Sequence, residues 1–280
     1  MYLRLIQLYK DQKGRIHRLS REGGWIIGGQ VASILGSLAL VRVLTNYLEP
    51  ARYGELALGL SIGGLVNQVV TGSLGGAIGR YYAIATENRD FRRYLVVSGC
   101  LMGWASLGVM AVGLILIGGL LGTGQTEWVT LAVAVLLFSI LSGFNSTLSG
   151  IQNAARQRHI VALHSGMDAW LKIGLVIAVM LWLGSNSKAV VIGYVLSAFV
   201  ITTSQLFFLS RLVRSVLSAQ SGLPVIVRDW TGEMWKFAWP FSAWGLFTWM
   251  QQASDRWALE FFSSTDAVGN YAVLYQLGFV

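Results

Sequence analysis

The sequence predicts an all-α integral membrane protein, and three observations lead to this prediction. Only 12% of the residues are charged, whereas soluble domains carry about 25%. The hydrophobic share is 54% and the mean hydropathy is +0.58, so the chain has more apolar surface than a soluble fold can bury. The apolar residues also form runs of the length that a bilayer-spanning helix needs, roughly 20 residues. Lipid is therefore the expected solvent for most of the surface.

Eight apolar runs are predicted as helices; the first six are long enough to span a bilayer, the seventh is shorter, and the eighth begins near the end of the sequence. In chain order they are Gly24–Leu44, Glu55–Gly79, Tyr94–Leu121, Trp128–Gly150, Ile160–Gly184, Ala189–Leu209, Phe237–Ala253 and Ala267–Val280. The predicted domains are a basic amphipathic segment (1–22), a first six-helix transmembrane bundle (23–210), a linker (211–236) and the start of a second bundle (237–280).

The basic residues predict the orientation of these helices. With the amino terminus in the cytoplasm, 16 of the 21 Lys and Arg residues fall in cytoplasmic segments, as the positive-inside rule requires. Residues 1–22 then form an amphipathic helix on the cytoplasmic membrane surface, and the linker is cytoplasmic as well. Because this topology accounts for the net charge of +8, nucleic acid is not predicted as a partner.

Two segments, after the first and the seventh predicted helix, are similar to each other. Residues 48–58 read LEPARYGELAL, and residues 263–273 read SSTDAVGNYAV. Gly54 aligns with Gly269, and Ala57 aligns with Ala272. We therefore expect two parallel six-helix repeats about an axis along the membrane normal, with the second repeat truncated in this chain.

The same segments resemble a known family. Residues 42–58, RVLTNYLEPARYGELAL, resemble the segment that follows the first helix of polysaccharide flippases. The runs DRWALEFF (255–262) and VGNY (268–271) resemble the signature after the seventh helix of these proteins. The flippases belong to the multidrug/oligosaccharidyl-lipid/polysaccharide exporter superfamily. The resemblance implies a MATE-like fold of two six-helix bundles, with the first bundle and the start of the second in this chain.

The resemblance also implies a function. Such a protein would be a flippase of O-antigen and lipopolysaccharide biosynthesis, moving undecaprenyl-pyrophosphate-linked oligosaccharide across the bacterial inner membrane by alternating access. Its partners would be this anionic lipid-linked oligosaccharide and membrane lipids, with proton or sodium coupling. A lipid II flippase and a cation-coupled multidrug exporter are alternatives from the same superfamily. The first predicted helix has no acidic residue to bind a cation, which disfavours the exporter.

Two alternatives come from other classes of protein. A membrane glycosyltransferase or ligase usually needs a sizeable polar loop with catalytic acids, and none of the predicted loops qualifies. A structural membrane scaffold would not need charges at the centre of the bilayer. We therefore expect a transporter rather than an enzyme, with no catalytic residues.

Polar groups on the fifth predicted helix are candidates for a substrate path. His164, Asp168 and Lys172 recur every four residues and so share one helix face. Lys172 lies about 18 Å along the helix from Ile160, near mid-membrane, where charges are costly and often functional. In one interpretation Lys172 lines a cavity and contacts a pyrophosphate or acidic sugar, while Asp168 either pairs with it to hold its charge or takes part in a proton relay. In the other, Lys172 and Asp168 form a structural ion pair. His164 is expected to be solvated near the cytoplasmic interface.

Five further residues complete the candidate path. Arg42 and Arg256 lie near the outer ends of the first and seventh helices, where they either contact phosphate or glycan or snorkel to the interface. Three amides are expected to face the cavity and either bind sugar hydroxyls or bridge helices: Asn145, Gln251 and Gln252.

No metal site and no cofactor are predicted. His, Cys, Asp and Glu residues do not cluster with metal-ligand spacing. The single cysteine, Cys100, excludes an internal disulfide. The glycine-rich run 72–79 is not followed by the Lys-Ser/Thr pair of a phosphate-binding loop.

Overall fold

All regular structure in the described part of the chain is helical. The computed structural model describes residues 2–220 and 226–279, and the side chains of residues 22–220 and 226–278. The amphipathic character predicted for residues 1–22 therefore concerns side chains that lie almost wholly outside the described residues. The helices are α1 (Tyr2–Tyr47), α2 (Pro50–Val66), α3 (Gly72–Glu87), α4 (Phe91–Gly122), α5 (Thr126–Ala154), α6 (Arg158–Leu183), α7 (Ser187–Gln220), α8 (Trp230–Phe262) and α9 (Thr265–Phe279).

Six helical segments are long and apolar enough to cross a membrane, and they correspond to the first six predicted spans. They are Glu22–Tyr47, Pro50–Glu87, Phe91–Gly122, Thr126–Ala154, Arg158–Leu183 and Ser187–Gln220. The two remaining predicted helices form parts of α8 and α9. The prediction of an all-α membrane protein with six long apolar spans is confirmed.

The helices on either side of the predicted linker extend into it. α7 continues to Gln220 and α8 begins at Trp230, so much of region 211–236 is helical. Asp229 accepts a hydrogen bond from the Gly232 amide at 3.2 Å. This is the usual N-cap contact, and it explains why α8 starts well before the apolar run Phe237–Ala253.

The second span is not a uniform α-helix. A π-helical segment, Asn67–Thr71, separates α2 from α3. The Asn67 amide donates a hydrogen bond to the Ser142 hydroxyl of α5 at 3.2 Å, and the Thr71 hydroxyl donates to Asn67 Oδ1 at 2.9 Å. On the opposite side, Gly245 of α8 packs against the Gln68 carbonyl. The irregular turn is thus held by polar side chains and by the close approach of α8.

Two hydrophobic cores join the helices. The first is shared by α1, α2, α5, α6, α7 and α9, with Leu44, Leu56 and Val176 among its buried side chains. The second lies among α3, α4, α5 and α8, where Phe91 and Tyr94 are buried. Because α8 and α9 each contribute to one of these cores, they pack directly against the first bundle.

The boundaries of the predicted repeat agree with the structure. α1 ends at Tyr47 and α8 ends at Phe262, and these positions differ by 215 residues (262 − 47). α2 begins at Pro50 and α9 begins at Thr265, and these positions also differ by 215 (265 − 50). The same helix–turn–helix unit therefore occurs twice at one sequence offset.

The contacts between α2 and α9 are reciprocal at the same offset. A Cβ atom added at Gly54 would collide with the Thr265 carbonyl oxygen, and one added at Gly269 would collide with the Pro50 carbonyl oxygen. Each glycine of one unit thus packs against the first helical residue of the other unit. This is the contact pattern of two units related by a two-fold axis, as the aligned glycines predict.

A buried hydrogen bond ties the start of α8 to the α3–α4 turn. Trp230 Nε1 donates to Asp90 Oδ2 at 2.8 Å, and both residues are buried. We expect Trp230→Phe to lower the free energy of unfolding by about 1.5–3 kcal/mol, because a buried carboxylate loses a hydrogen-bond donor. Thermal unfolding in detergent measures the change, and Trp104→Phe, at an exposed tryptophan of α4, is the control. Equal shifts in the two variants would contradict this role for Trp230.

Candidate functional site

A polar cavity lies inside the first bundle, between α5, α6 and α7. Its volume is about 190 Å³. Lys172, Asp168 and Asn145 line it, so the structure brings together three of the seven predicted site residues. The wall is rich in hydroxyl and amide groups, and we call it the serine-rich cavity; these groups come from Ser142, Ser146, Ser149, Ser165 and Gln205.

Lys172 and Asp168 form an ion pair in this cavity. Lys172 Nζ lies 2.5 Å from Asp168 Oδ2, as the spacing of one helical turn predicts. The Ser197 hydroxyl of α7 donates to Asp168 Oδ1 at 3.1 Å, so both carboxylate oxygens have partners. The ammonium also lies 5.8 Å from the Phe138 ring centroid and 5.7 Å from that of Tyr194, within the range of cation–π attraction.

The pair is electrically neutral and only partly solvated. The relative solvent exposure of the side chain is 22% for Lys172 and 28% for Asp168. In this conformation the ammonium is held by a carboxylate and two aromatic rings. The carboxylate therefore compensates the charge of the ammonium in this conformation.

Asn145 bridges two helices across the cavity wall. Its Oδ1 accepts a hydrogen bond from the Thr202 hydroxyl at 2.8 Å, and its Nδ2 donates to the Ala198 carbonyl at 3.3 Å. Both partners belong to α7. Of the two roles predicted for this amide, the geometry displays the helix bridge.

His164 is buried in the same wall, so the expectation of an interfacial, solvated histidine is wrong. Its side chain is 1% exposed. Nδ1 lies 2.8 Å from the Ile160 carbonyl and Nε2 lies 3.0 Å from the Ser204 hydroxyl of α7. Sequence reasoning also missed Ser197, which contacts Asp168. Ser197 and Ser204 are seven residues apart, a spacing that puts both on one helix face and that would have identified them.

A second cavity, which we call the Arg256 cavity, lies where α8 and α9 meet the first bundle. Its volume is about 220 Å³, and Arg256, Tyr53, Tyr194 and Gln276 are among its lining residues. The Tyr53 hydroxyl donates to Gln276 Oε1 at 2.7 Å and so joins α2 to α9. The guanidinium of Arg256 lies 4.9 Å from the Tyr275 ring centroid.

Arg256 has an unsatisfied hydrogen-bond donor. Its Nε is buried and has no hydrogen-bond partner among the described residues. The neighbouring acid, Asp255, instead accepts a hydrogen bond from the Tyr271 hydroxyl at 2.7 Å. The ion pairs in the described part of the chain do not include Arg256.

The three other predicted residues lie elsewhere. Arg42 is exposed on α1, and the repeat offset of 215 aligns it with Trp257 rather than with Arg256 (257 − 42). Gln252 accepts a hydrogen bond from Gln68 Nε2 at 2.8 Å, next to the π-helical segment. Gln251 is exposed on α8. These three residues line neither the serine-rich cavity nor the Arg256 cavity.

Two solved structures have a similar fold. One, named protein A, is 16% identical in sequence and has a TM-score of 0.60. The match covers 91% of this chain and 60% of the chain of protein A. The other is a MATE protein in complex with Br-NRF, also 16% identical, with a TM-score of 0.51 and coverage of 85% of this chain and 55% of its own. This chain therefore spans 55–60% of the length of these structures. No curated protein matches its sequence.

A family model agrees with the fold. The model described as "Polysaccharide biosynthesis protein" matches residues 19–280, which is nearly the whole chain. The six apolar helices make this a multi-pass membrane protein, and its fold is similar to that of the MATE protein. The chain belongs to the polysaccharide biosynthesis protein family.

Proposed function

We propose that this protein translocates undecaprenyl-pyrophosphate-linked oligosaccharide across the bacterial inner membrane, with its amino terminus in the cytoplasm. Membership of a polysaccharide biosynthesis family and a MATE-like fold both support a transport role. The lipid-linked substrate carries its negative charge on the pyrophosphate. Cationic groups in cavities are therefore the features that have to recognise it.

The environment of Arg256 is the observation that carries this proposal. A buried N–H group without an acceptor costs about 1–3 kcal/mol, and the Arg256 Nε is such a group. A phosphate oxygen that reached this N–H group as the helices around the cavity move would supply the missing acceptor. Guanidinium groups bind phosphates through paired hydrogen bonds, so the Arg256 side chain is suited to a pyrophosphate.

The position of the Arg256 cavity fits alternating access. Its lining combines side chains of α1, α2 and α7 with side chains of α8 and α9. Rocking of one predicted bundle against the other would open and close the space between these two sets of helices. Arg256 would then reach the substrate in one state and be covered in the other.

The Lys172–Asp168 pair supplies the ion-coupled step in this proposal. Protonation of Asp168 would remove its negative charge and weaken the ion pair. The Lys172 ammonium would then be free to attract the pyrophosphate. Proton uptake and substrate binding would be linked through one pair of side chains in the serine-rich cavity.

Replacement of Arg256 by glutamine tests the proposal. We expect Arg256→Gln to lower surface polysaccharide about tenfold or more in a flippase-deficient strain complemented with the full-length protein. The reason is the loss of a charge-assisted hydrogen bond to phosphate, which contributes about 1.5–3 kcal/mol. Surface glycan is measured on gels, and membrane protein level is measured by immunoblot.

Two further variants sharpen the result. Lys188→Gln removes a charge from the first turn of α7, outside both cavities, and is expected to keep normal glycan. Arg256→Lys keeps the charge without the paired donors, and its glycan level should lie between those of wild type and Arg256→Gln. Normal glycan with Arg256→Gln at a normal protein level would refute the substrate contact. If the protein instead supports growth of a strain that lacks its lipid II flippase, and does not restore surface glycan, the cargo is lipid II.

A further inference from the structure

A pocket lined by three arginines opens at the predicted cytoplasmic end of the first bundle. We call it the arginine pocket; its volume is about 450 Å³. The α3–α4 turn and the start of α4 contribute Arg89, Arg92 and Arg93, and the end of α7 contributes Gln220. Gln220 Nε2 donates to the Thr86 carbonyl at 3.0 Å, which fixes α7 against the turn. Two helices and a turn thus form a concave basic surface.

Arginines outnumber acids three to one among the residues that line the pocket. The ion pairs in the described part of the chain involve none of the three arginines. The acid in the pocket wall, Asp90, is buried and accepts a hydrogen bond from Trp230 Nε1 at 2.8 Å. Arg92 and Arg93 also lie in the first turn of α4, where the helix dipole disfavours cations and favours a bound anion.

The backbone at Arg89 allows its side chain to be removed without strain. Arg89 has φ +61°, a left-handed conformation that favours glycine. It occupies the position after the α3 C-cap. The Arg89 amide donates to the Thr86 carbonyl at 3.3 Å, and the Asp90 amide donates to the Ala85 carbonyl at 3.1 Å. Helices commonly place glycine at this position. Glycine at position 89 would therefore remove the guanidinium group and suit the backbone at the same time.

The turns at the two ends of the bundle differ in the residues that occupy left-handed backbone positions. On the predicted outer side, the left-handed positions are occupied by Gly124 and Gly184. On the predicted cytoplasmic side they are occupied by Arg89 and Arg156, with φ +61° and +60°. Arg156 does not line the arginine pocket. It therefore offers a matched control that has the same backbone conformation.

We propose that the arginine pocket binds the phosphate headgroup of an anionic lipid. Guanidinium groups match phosphate geometry, and basic pockets between transmembrane helices bind anionic headgroups. Val96, which is 59% exposed, and Leu217 give the pocket an apolar side from which acyl chains can continue along α4. The phosphate comes either from a glycerophospholipid or from a lipid-linked pyrophosphate. This inference does not depend on the proposed function.

Lipid retention by the purified full-length protein tests the site. Native mass spectrometry counts lipids bound after exchange into phosphatidylcholine micelles doped either with phosphatidylglycerol or with a prenyl pyrophosphate. We expect wild type to retain one more anionic lipid than Arg92→Gln/Arg93→Gln, and to be stabilised by it in thermal unfolding. Arg89→Gly should also lose this lipid while keeping its fold, because glycine suits the left-handed backbone.

Two controls remove charge outside the pocket. Arg156→Gly relieves the same backbone conformation, and Arg211→Gln removes an arginine of α7 that packs 4.3 Å from the Phe207 ring; both should retain the lipid. Retention of phosphatidylglycerol identifies bulk phospholipid as the ligand, and retention of the prenyl pyrophosphate alone identifies a lipid-linked sugar carrier. Equal retention by wild type and Arg92→Gln/Arg93→Gln, or equal loss in the two controls, overturns the proposal.

Discussion

Replacing Asp168 by alanine is expected to lower the free energy of unfolding by about 3 kcal/mol. Removal of one partner of a buried ion pair costs about 3–5 kcal/mol, because the remaining charge is left without compensation. The Lys172 and Asp168 side chains are about a quarter exposed, so solvent screening favours the lower end of this range. The Lys172 ammonium would keep the Phe138 and Tyr194 rings but lose its carboxylate.

The double variant Lys172→Met/Asp168→Asn separates stability from transport. It removes both charges while preserving much of the side-chain volume, so we expect the melting temperature in detergent to return close to that of wild type. Surface polysaccharide should nevertheless stay near the background level, because no ammonium remains for the pyrophosphate. Ser197→Ala, which removes only one hydrogen bond to Asp168, is the control and should cost about 1 kcal/mol.

The outcomes distinguish the two roles that the sequence leaves open. A stable double variant that restores full surface polysaccharide would establish a purely structural ion pair. A stable double variant without polysaccharide would assign transport to the charges themselves. Wild-type stability in Asp168→Ala would contradict the buried pair altogether.

The Lys172–Asp168 pair could be predicted from sequence because its geometry is local. Two oppositely charged residues four apart on a helix lie on the same face, so their contact follows from the helix alone. The contacts with Phe138, Tyr194 and Ser197 come from α5 and α7. They depend on how three helices pack, which no spacing within one helix specifies.

The roles of single polar residues were harder to predict, for the same reason. Gln251 and Gln252 are adjacent on α8, and only Gln252 reaches the Gln68 amide of the π-helical segment. Arg42 and Arg256 have similar positions near helix ends, but Arg42 is exposed and Arg256 lines a cavity. The π-helical segment itself has no sequence signal in an apolar run, because side chains of α5 and the approach of α8 hold it.

The aligned glycines predicted an internal repeat, and in the structure they lie at a tertiary contact. Symmetry-related positions near a two-fold axis pack against each other, so a weak internal repeat contains information about the packing of α2 on α9. Only residues without a side chain allow the backbones to approach so closely. Gly54 and Gly269 are the pair that meets this requirement at the crossing.

Replacing either glycine should therefore disrupt the junction between the two units. A Cβ atom at Gly269 would overlap the Pro50 carbonyl, and one at Gly54 would overlap the Thr265 carbonyl. These are backbone atoms that cannot rotate away, so α2 and α9 must separate. We expect Gly54→Ala and Gly269→Ala each to lower the free energy of unfolding by about 3 kcal/mol, and Gly269→Leu to abolish folded protein in size-exclusion chromatography.

The control and the double variant make this prediction specific. Gly76→Ala faces open space on α3 and should raise helix stability by up to about 1 kcal/mol, because alanine is the better helix former. Once one added methyl group has separated the helices, the second meets less resistance. Gly54→Ala/Gly269→Ala should thus cost less than the sum of the single variants. Additive effects, or melting temperatures equal to that of wild type, would show that α2 and α9 do not cross at these two glycines.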